Sequence, residues 1–284
     1  MRNRRFLLSV VLLAVFAVST TFLLRSVIDS FRSSDTYAEA RELAQPQDGP
    51  STRPVTPPEA LPVEVPDPAE ENVPTYWVPV PVTDDETMDR LWEKDLDALR
   101  EKNPDVIGWI HIPDTKIDYP IVQGEDNTFY LDHNWRGESL SAGSIFLECR
   151  NSPDFTDYNT IVYGHNMVNG TMFGSLNRYG NQAWWESHPY IYILLDYGVL
   201  RYEVFSSYAA TVGSNTYALS FRQTQTREDY LQMAADLSEI DTGITPEVTD
   251  LVLTLSTCHG VGDTRWIVHA RLPMMQYIHK EGTL

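Results

Sequence analysis

From Val106 onward the sequence breaks into short runs rich in apolar and β-branched residues, separated by Gly, Pro, Asn and Asp, and this texture leaves few folds open. The runs are 107–112, 117–122, 144–148, 159–163, 190–195, 200–210, 251–257 and 265–272. Leu251, Leu253 and Leu255 alternate with Val252, Thr254 and Ser256, the period of a strand whose two faces meet different surroundings. Asp196-Tyr197-Gly198 reads as a hairpin turn, and Pro120 marks its run as an edge or irregular strand. Two helices interrupt the pattern. Thr83-Asp84-Asp85-Glu86 fits a capping box, and Met88, Leu91, Trp92, Leu96 and Leu99 follow at helical spacing until Asn103-Pro104. Thr226 caps a second helix over 227–240, with Tyr230, Leu231, Ala234, Leu237 and Ile240 as its apolar stripe. Many short strands and few helices predict a mainly β fold, a closed or nearly closed barrel with helical additions.

The N-terminal end obeys different physics. Residues 1–5 carry three arginines, and residues 6–24 carry no charge. At about 1.5 Å per residue such a run spans a hydrocarbon core of about 30 Å, and the arginines hold its start on the cytoplasmic side. A cleaved signal peptide is the competing reading, but the run is long and no clean A-x-A site follows it. The expected organisation is a cytoplasmic tail at 1–5, a single transmembrane anchor at 6–24, an extracellular stalk at 25–82 and a globular domain at 83–284. Eleven of the 18 prolines lie between Pro46 and Pro81, which predicts a semi-rigid spacer; residues 25–44 could extend the anchor as a helix. The net charge of -19 disfavours nucleic acid as a partner.

Only two cysteines are present, Cys149 and Cys258, too few for a disulfide-built domain. Cys258 ends the run 251–257 and precedes a loop containing Gly260 and Gly262, where a side chain is accessible on a rigid base. A buried, inert cysteine is the alternative. A nucleophilic thiol needs a partner that favours its thiolate. His165 breaks a strand into the turn after Tyr163-Gly164, although spacing alone does not select it from the seven histidines. His259 adjoins Cys258 but, on an extended chain, faces the other way; His269 is mid-strand and reads as structural. Arg265 starts the last long run, near Cys258 if the two runs pair, and either stabilises an acyl oxyanion or pairs with Asp263. No histidine–cysteine cluster has zinc spacing and H-E-x-x-H is absent, so neither a metal nor a cofactor is expected.

Thr254-Leu255-Ser256-Thr257-Cys258 resembles the T-L-x-T-C signature of the sortases. Arg265-Trp266-Ile267-Val268-His269-Ala270-Arg271-Leu272 is similar to the R-x-V-V-H-A-[KR]-L strand of class B members, and Tyr163-Gly164-His165-Asn166-Met167 to their histidine motif. Asn103-Pro104-Asp105-Val106-Ile107-Gly108-Trp109, Tyr119-Pro120-Ile121-Val122-Gln123-Gly124 and Asp126-Asn127 resemble their N-terminal half, so the likeness covers about 84–272. It implies a sortase-type closed eight-stranded β-barrel with an N-terminal helical extension and a helix before the nucleophile strand. It implies a cysteine transpeptidase in which Cys258 is the nucleophile, His165 the general acid and base, and Arg265 the oxyanion stabiliser. Ser256, Thr257 and Asn127 match positions of the sorting-signal groove. The implied partners are secreted proteins bearing a sorting signal and an amine of the peptidoglycan cross-bridge or of a pilin; no cofactor is implied. The sequence departs from the pattern at His259, where an acidic residue is common nearby, and at Cys149, where an aromatic is frequent. No D-P-[FW] lid motif is present, which argues against a pilin polymerase of class C. A cysteine hydrolase with the same Cys–His pair and a silent scaffold are the competing readings.

Overall fold

The structure, a computed structural model, describes residues 2–46, 63–64, 76–80, 82–221, 223–258 and 262–277. Most of the proline-rich segment, and His259, Gly260, Val261 and His279, lie outside these residues. In chain order the helices are α1 (Arg2–Leu43), α2 (Glu86–Trp92), α3 (Leu96–Arg100), α4 (Gln182–Ser187) and α5 (Thr224–Leu237). The strands are β1 (Val63–Glu64), β2 (Tyr76–Pro79), β3 (Val106–His111), β4 (Asp118–Val122), β5 (Ile145–Leu147), β6 (Asn159–Gly164), β7 (Tyr190–Leu195), β8 (Gly198–Thr211), β9 (Leu251–Cys258), β10 (Thr264–Leu272) and β11 (Met274–Tyr277).

Strands β3 to β10 close into the expected eight-stranded barrel, in the order β10-β8-β7-β3-β4-β5-β6-β9. Two of its neighbouring pairs, β4–β5 and β6–β9, are parallel and the others antiparallel. Closure makes β4 an interior strand rather than the edge that Pro120 suggested. Pro120 pairs with Trp109 of β3, while the ladder to β5 starts one residue later at Ile121, so the missing N–H interrupts no bond there. Alternation sorts the side chains into two cores. Leu251, Leu253 and Leu255 of β9, with Trp266, Val268 and Ala270 of β10, enter the main core around Trp109, Tyr130 and Tyr202. Val252 and Ile267 face outward and meet Tyr230, Leu231 and Ala234 of α5, which closes a second core.

The helix expected near residue 83 is two short helices. Asp85, not Thr83, caps α2, accepting from the amides of Thr87 (3.0 Å) and Met88 (3.2 Å). Asp95 captures the amides of Asp97 and Ala98 and restarts the chain as α3, because a short acceptor at an N-cap outcompetes helix continuation. Helix α5 begins after Gln223 rather than Thr226, and Leu237, assigned to its buried stripe, is half exposed at the last turn.

The N-terminal region differs more. Helix α1 runs unbroken through the apolar residues and on to Leu43, and its last turns lie on the barrel rather than in a stalk. Ser33, Tyr37, Ala40 and Ala44 are buried there, and the small side chains allow close approach. Trp135 Nε1 donates to the Thr36 carbonyl (3.1 Å), Tyr37 Oη to the Gly143 carbonyl (2.6 Å), and Arg136 pairs with Glu39 (2.9 Å). Strands β1, β2 and β11 form a separate three-stranded sheet, so parts of the proline-rich segment have regular structure where a plain spacer was expected. Among the described residues no helix is long and apolar enough to cross a membrane, and most side chains of residues 6–24 lie outside them.

Candidate active site

Three strand ends meet at one end of the barrel. Cys258 is the last residue of β9 and pairs in register with Arg265 on β10. On the other side of β9, Gly164 of β6 pairs with Thr257, and His165 follows it directly. The parallel β6–β9 pairing and the antiparallel β9–β10 pairing therefore bring residues 165, 258 and 265, far apart in the chain, to adjacent positions across three strands. The side chain of Cys258 lies outside the described set.

His165 leaves the sheet at Gly164 because β6 cannot continue. A Cβ at residue 164 would sit 2.6 Å from Ile145 Cδ1 and 2.8 Å from the Phe173 ring, so only glycine fits against these two buried side chains. The His165 ring is half-buried, and its Nε2–H donates to the Leu131 carbonyl (2.6 Å), which leaves Nδ1 of the neutral tautomer as acceptor. Arg265 is half-buried. Its guanidinium donates to the carbonyls of Gly262 (3.2 Å) and Thr264 (3.1 Å), so the turn backbone, not the Asp263 carboxylate, holds it. Among the other described histidines, His111 pairs with Asp118 (3.2 Å), His133 with Asp132 (2.7 Å), His188 stacks on Trp184, and His269 is wholly buried. Among the described histidines, only His165 stands beside the end of β9.

The residues assigned to a substrate groove have different fates. Ser256 is nearly buried, and its hydroxyl meets that of Tyr217 (3.0 Å), in the connection between β8 and α5. Tyr217 lies almost parallel to Tyr163, with ring centroids 6.5 Å apart. Thr257 is only 1% exposed, and its hydroxyl has no partner among the described residues. Asn127 is held from both ends of its amide: Nδ2 donates to Glu148 Oε2 (2.6 Å), and Oδ1 accepts from the Cys149 amide (2.8 Å).

Glu148 is the residue that sequence reading missed. Its side chain is 2% exposed and accepts from Asn127, from the Tyr163 hydroxyl (3.0 Å) and from Arg150 Nε (2.6 Å). Burial pushes its carboxyl up, but the Arg150 guanidinium and the hydrogen bonds from Tyr163 and Asn127 outweigh burial and hold it below the usual range. The available signal was an acid ending an otherwise apolar run, followed two residues later by an arginine. The neighbouring Cys149 thiol, 3.7 Å from Glu148 Oε1, is pushed up by burial and by the Glu148 charge, which disfavours its thiolate.

Residues 110–273 match the model of the sortase domain family. Sortase B of Listeria monocytogenes is 40% identical over 166 residues, which is 58% of this chain and 67% of that protein. Among solved structures, sortase B of Bacillus anthracis superposes with a TM-score of 0.66 at 29% identity, covering 87% of this chain and 98% of its own. A Staphylococcus aureus sortase B–substrate complex gives 0.60 at 32% identity, covering 64% and 84%. The eight-stranded closed barrel, the in-register strand ends and these matches agree, and the chain belongs to the class B branch of the sortase family of cysteine transpeptidases.

Proposed function

We propose that this sortase is a membrane-anchored extracellular enzyme that attaches secreted proteins to an amine of the peptidoglycan, with Cys258, His165 and Arg265 as its catalytic residues. The observation that carries the reading is the register that aligns the ends of β6, β9 and β10. The Cys258 thiolate attacks the carbonyl carbon of a threonine in a C-terminal sorting signal. The carbonyl oxygen takes the negative charge, and the Arg265 guanidinium, already at the rim, donates to it. On collapse the C–N bond to the next residue breaks, and protonated His165 gives its proton to the leaving amine. A thioester on Cys258 results. The acceptor amine then attacks that thioester, loses a proton to His165, and releases the thiolate as the new amide forms. The S. aureus sortase B to which the fold is similar was solved as a complex with substrate, which supports substrate binding by this fold. The arginines before an uncharged run of 19 residues support an anchor that leaves the barrel outside the cell.

The test uses the full chain in detergent, with fluorogenic peptides of the N-P-x-T-N, S-P-x-T-G and L-P-x-T-G types. Triglycine or a diaminopimelate-type amine is present or absent. Cleavage lost in Cys258→Ala and His165→Ala, with an amine-ligated product, is expected. Arg265→Ala is expected to lower kcat about 10²–10³-fold, the usual loss for one oxyanion donor. Acyl transfer to water at the same rate with and without amine would make the protein a hydrolase. Ligation only to a lysine side chain would make it a pilin polymerase.

A further inference from the structure

Beneath α5 and the connection before it runs a buried polar chain that the reaction scheme does not use. Asn159 Nδ2 donates to the Ala218 carbonyl (2.9 Å), which leaves Asn159 Oδ1 to accept from the Thr254 hydroxyl (2.6 Å). Thr254 has then spent its only proton, so its oxygen accepts from the facing ring atom, Nδ1 of His269 (2.9 Å). With the proton on Nδ1, Nε2 is an acceptor, and the Tyr208 hydroxyl donates to it (2.9 Å). The Tyr208 oxygen accepts in turn from the Thr216 hydroxyl (3.0 Å). Asn159, Thr254, His269, Tyr208 and Thr216 are all 2% exposed or less, so water completes none of these bonds.

The chain begins at Thr216 and ends at Ala218, on either side of Tyr217. A third pin comes from the Tyr230 hydroxyl of α5, which donates to the Thr216 carbonyl (3.0 Å). Between these pins the Tyr217 hydroxyl meets Ser256, two residues before the end of β9. The Asn159 end sets the order: Thr254 can only accept from His269, so every arrangement that satisfies all five bonds carries a proton on Nδ1, and complete burial keeps the ring neutral. A phenylalanine would break the chain at its centre, and an imidazole protonated at Nε2 alone would leave the Thr254 oxygen facing the bare lone pair of Nδ1.

We infer that His269 is a positioning residue: as a neutral Nδ1–H imidazole it completes a proton-ordered chain that clamps residues 216–218, and Tyr217 with them, against the strand that carries Cys258. The kinetic consequence rests on the transpeptidase reading of Cys258; the clamp does not. Burial alone pulls the imidazole down to about 3, which keeps it neutral where the clamp must hold.

The experiment uses the full chain in detergent. Nitrogen-15 spectra of the imidazole are expected to show His269 protonated at Nδ1 alone. Hydrogen exchange at the amides of 216–218 is expected to speed up about fivefold in Thr216→Val, the worth of roughly one hydrogen bond. The same variant is expected to raise KM for a cleaved sorting peptide about fivefold, with kcat and the alkylation rate of Cys258 by a small thiol reagent changed less than about twofold. His269→Phe should reproduce this pattern, and His269→Gln, whose amide both donates and accepts, should recover part of it. An Nε2–H or doubly protonated ring overturns the proposal, as does unchanged exchange at 216–218 in folded Thr216→Val. So does a KM that stays at the wild-type value in that variant, or a kcat and alkylation rate that fall in step with it. If the wild type cleaves no peptide, the transpeptidase reading fails, while the tautomer and exchange measurements still decide the clamp.

Discussion

A carboxylate with a 2% exposed side chain is costly unless its charge is answered, and at Glu148 three donors answer it. Replacing it by Gln keeps the shape but sets an NH₂ group against at least one donor. We expect Glu148→Gln to lose about 2 kcal/mol at pH 7, in the range for hydrogen bonds to charged groups. Because the folded carboxyl lies below its ordinary value of 4.5, its contribution is fully present above that pH and is lost as pH falls through the lower folded value. The gap between wild type and variant in urea unfolding should therefore be wide at pH 7 and narrow below pH ~4. A gap of constant size across that range would mean that ionisation of Glu148 is not what stabilises the site. The hub also holds Asn127 and Tyr163, so the variant should loosen the wall that these two residues form.

Among the elements, β6 carries a tight constraint at its end, because its last residue must lie against Ile145 and Phe173 before His165 turns away. Gly164→Ala adds one methyl to a closed core, a change worth about 1–3 kcal/mol. For a domain of this size that corresponds to a melting midpoint lower by about 2–10 °C. The nearest clash is with the terminal methyl of Ile145 (2.6 Å), ahead of the Phe173 ring (2.8 Å), so Ile145→Val in the same chain should restore part of the loss. Strictly additive effects of the two substitutions would show that crowding at this contact is not the cause. Elements of this kind were partly legible in the sequence. The runs 251–257 and 265–272 were found within one residue, since alternation is local and their pairing is a plain antiparallel ladder. The parallel partnership of β6 with β9 was not legible, because nearly a hundred residues separate them and no periodicity records which strands will meet. The same limit applied at the site: Cys258, His165 and Arg265 could each be named from motifs, whereas Glu148 matters through partners brought to it from other elements. Burial at the end of β9 was not legible either, because alternation separates the faces of Ser256 and Thr257 but does not show that both are covered.

At the scale of the whole molecule, packing on the barrel begins earlier in the chain than composition suggested. Proline content placed it near residue 83, yet the end of α1 buries Tyr37, Ala40 and Ala44 on the barrel, and the Ala44 carbonyl accepts from the Asp95 amide (2.9 Å) ahead of α3. The contact reaches toward the site. Tyr37 donates to the carbonyl of Gly143, whose backbone is so close to the Leu131 carbonyl that a Cβ there would lie 2.5 Å from it, and Leu131 is the acceptor that holds His165. Gly143 has φ +58, a conformation that resists substitution and keeps the two backbones in contact. A chain starting at Ser26 should therefore melt well above one starting at Thr83, which loses a buried tyrosine and its hydrogen bond, a loss of roughly 3–5 kcal/mol from the aromatic ring alone. Tyr37→Phe in the longer chain isolates the hydrogen bond and should cost about 1–3 kcal/mol, since the Gly143 carbonyl loses a buried donor. Thermal melts of the three proteins, with peptide cleavage measured on each at a temperature where all are folded, decide the matter. Equal midpoints for the two chain lengths would make α1 a tether that merely touches the barrel; a lower midpoint together with a lower kcat in the shorter chain would make its last three turns part of the enzyme.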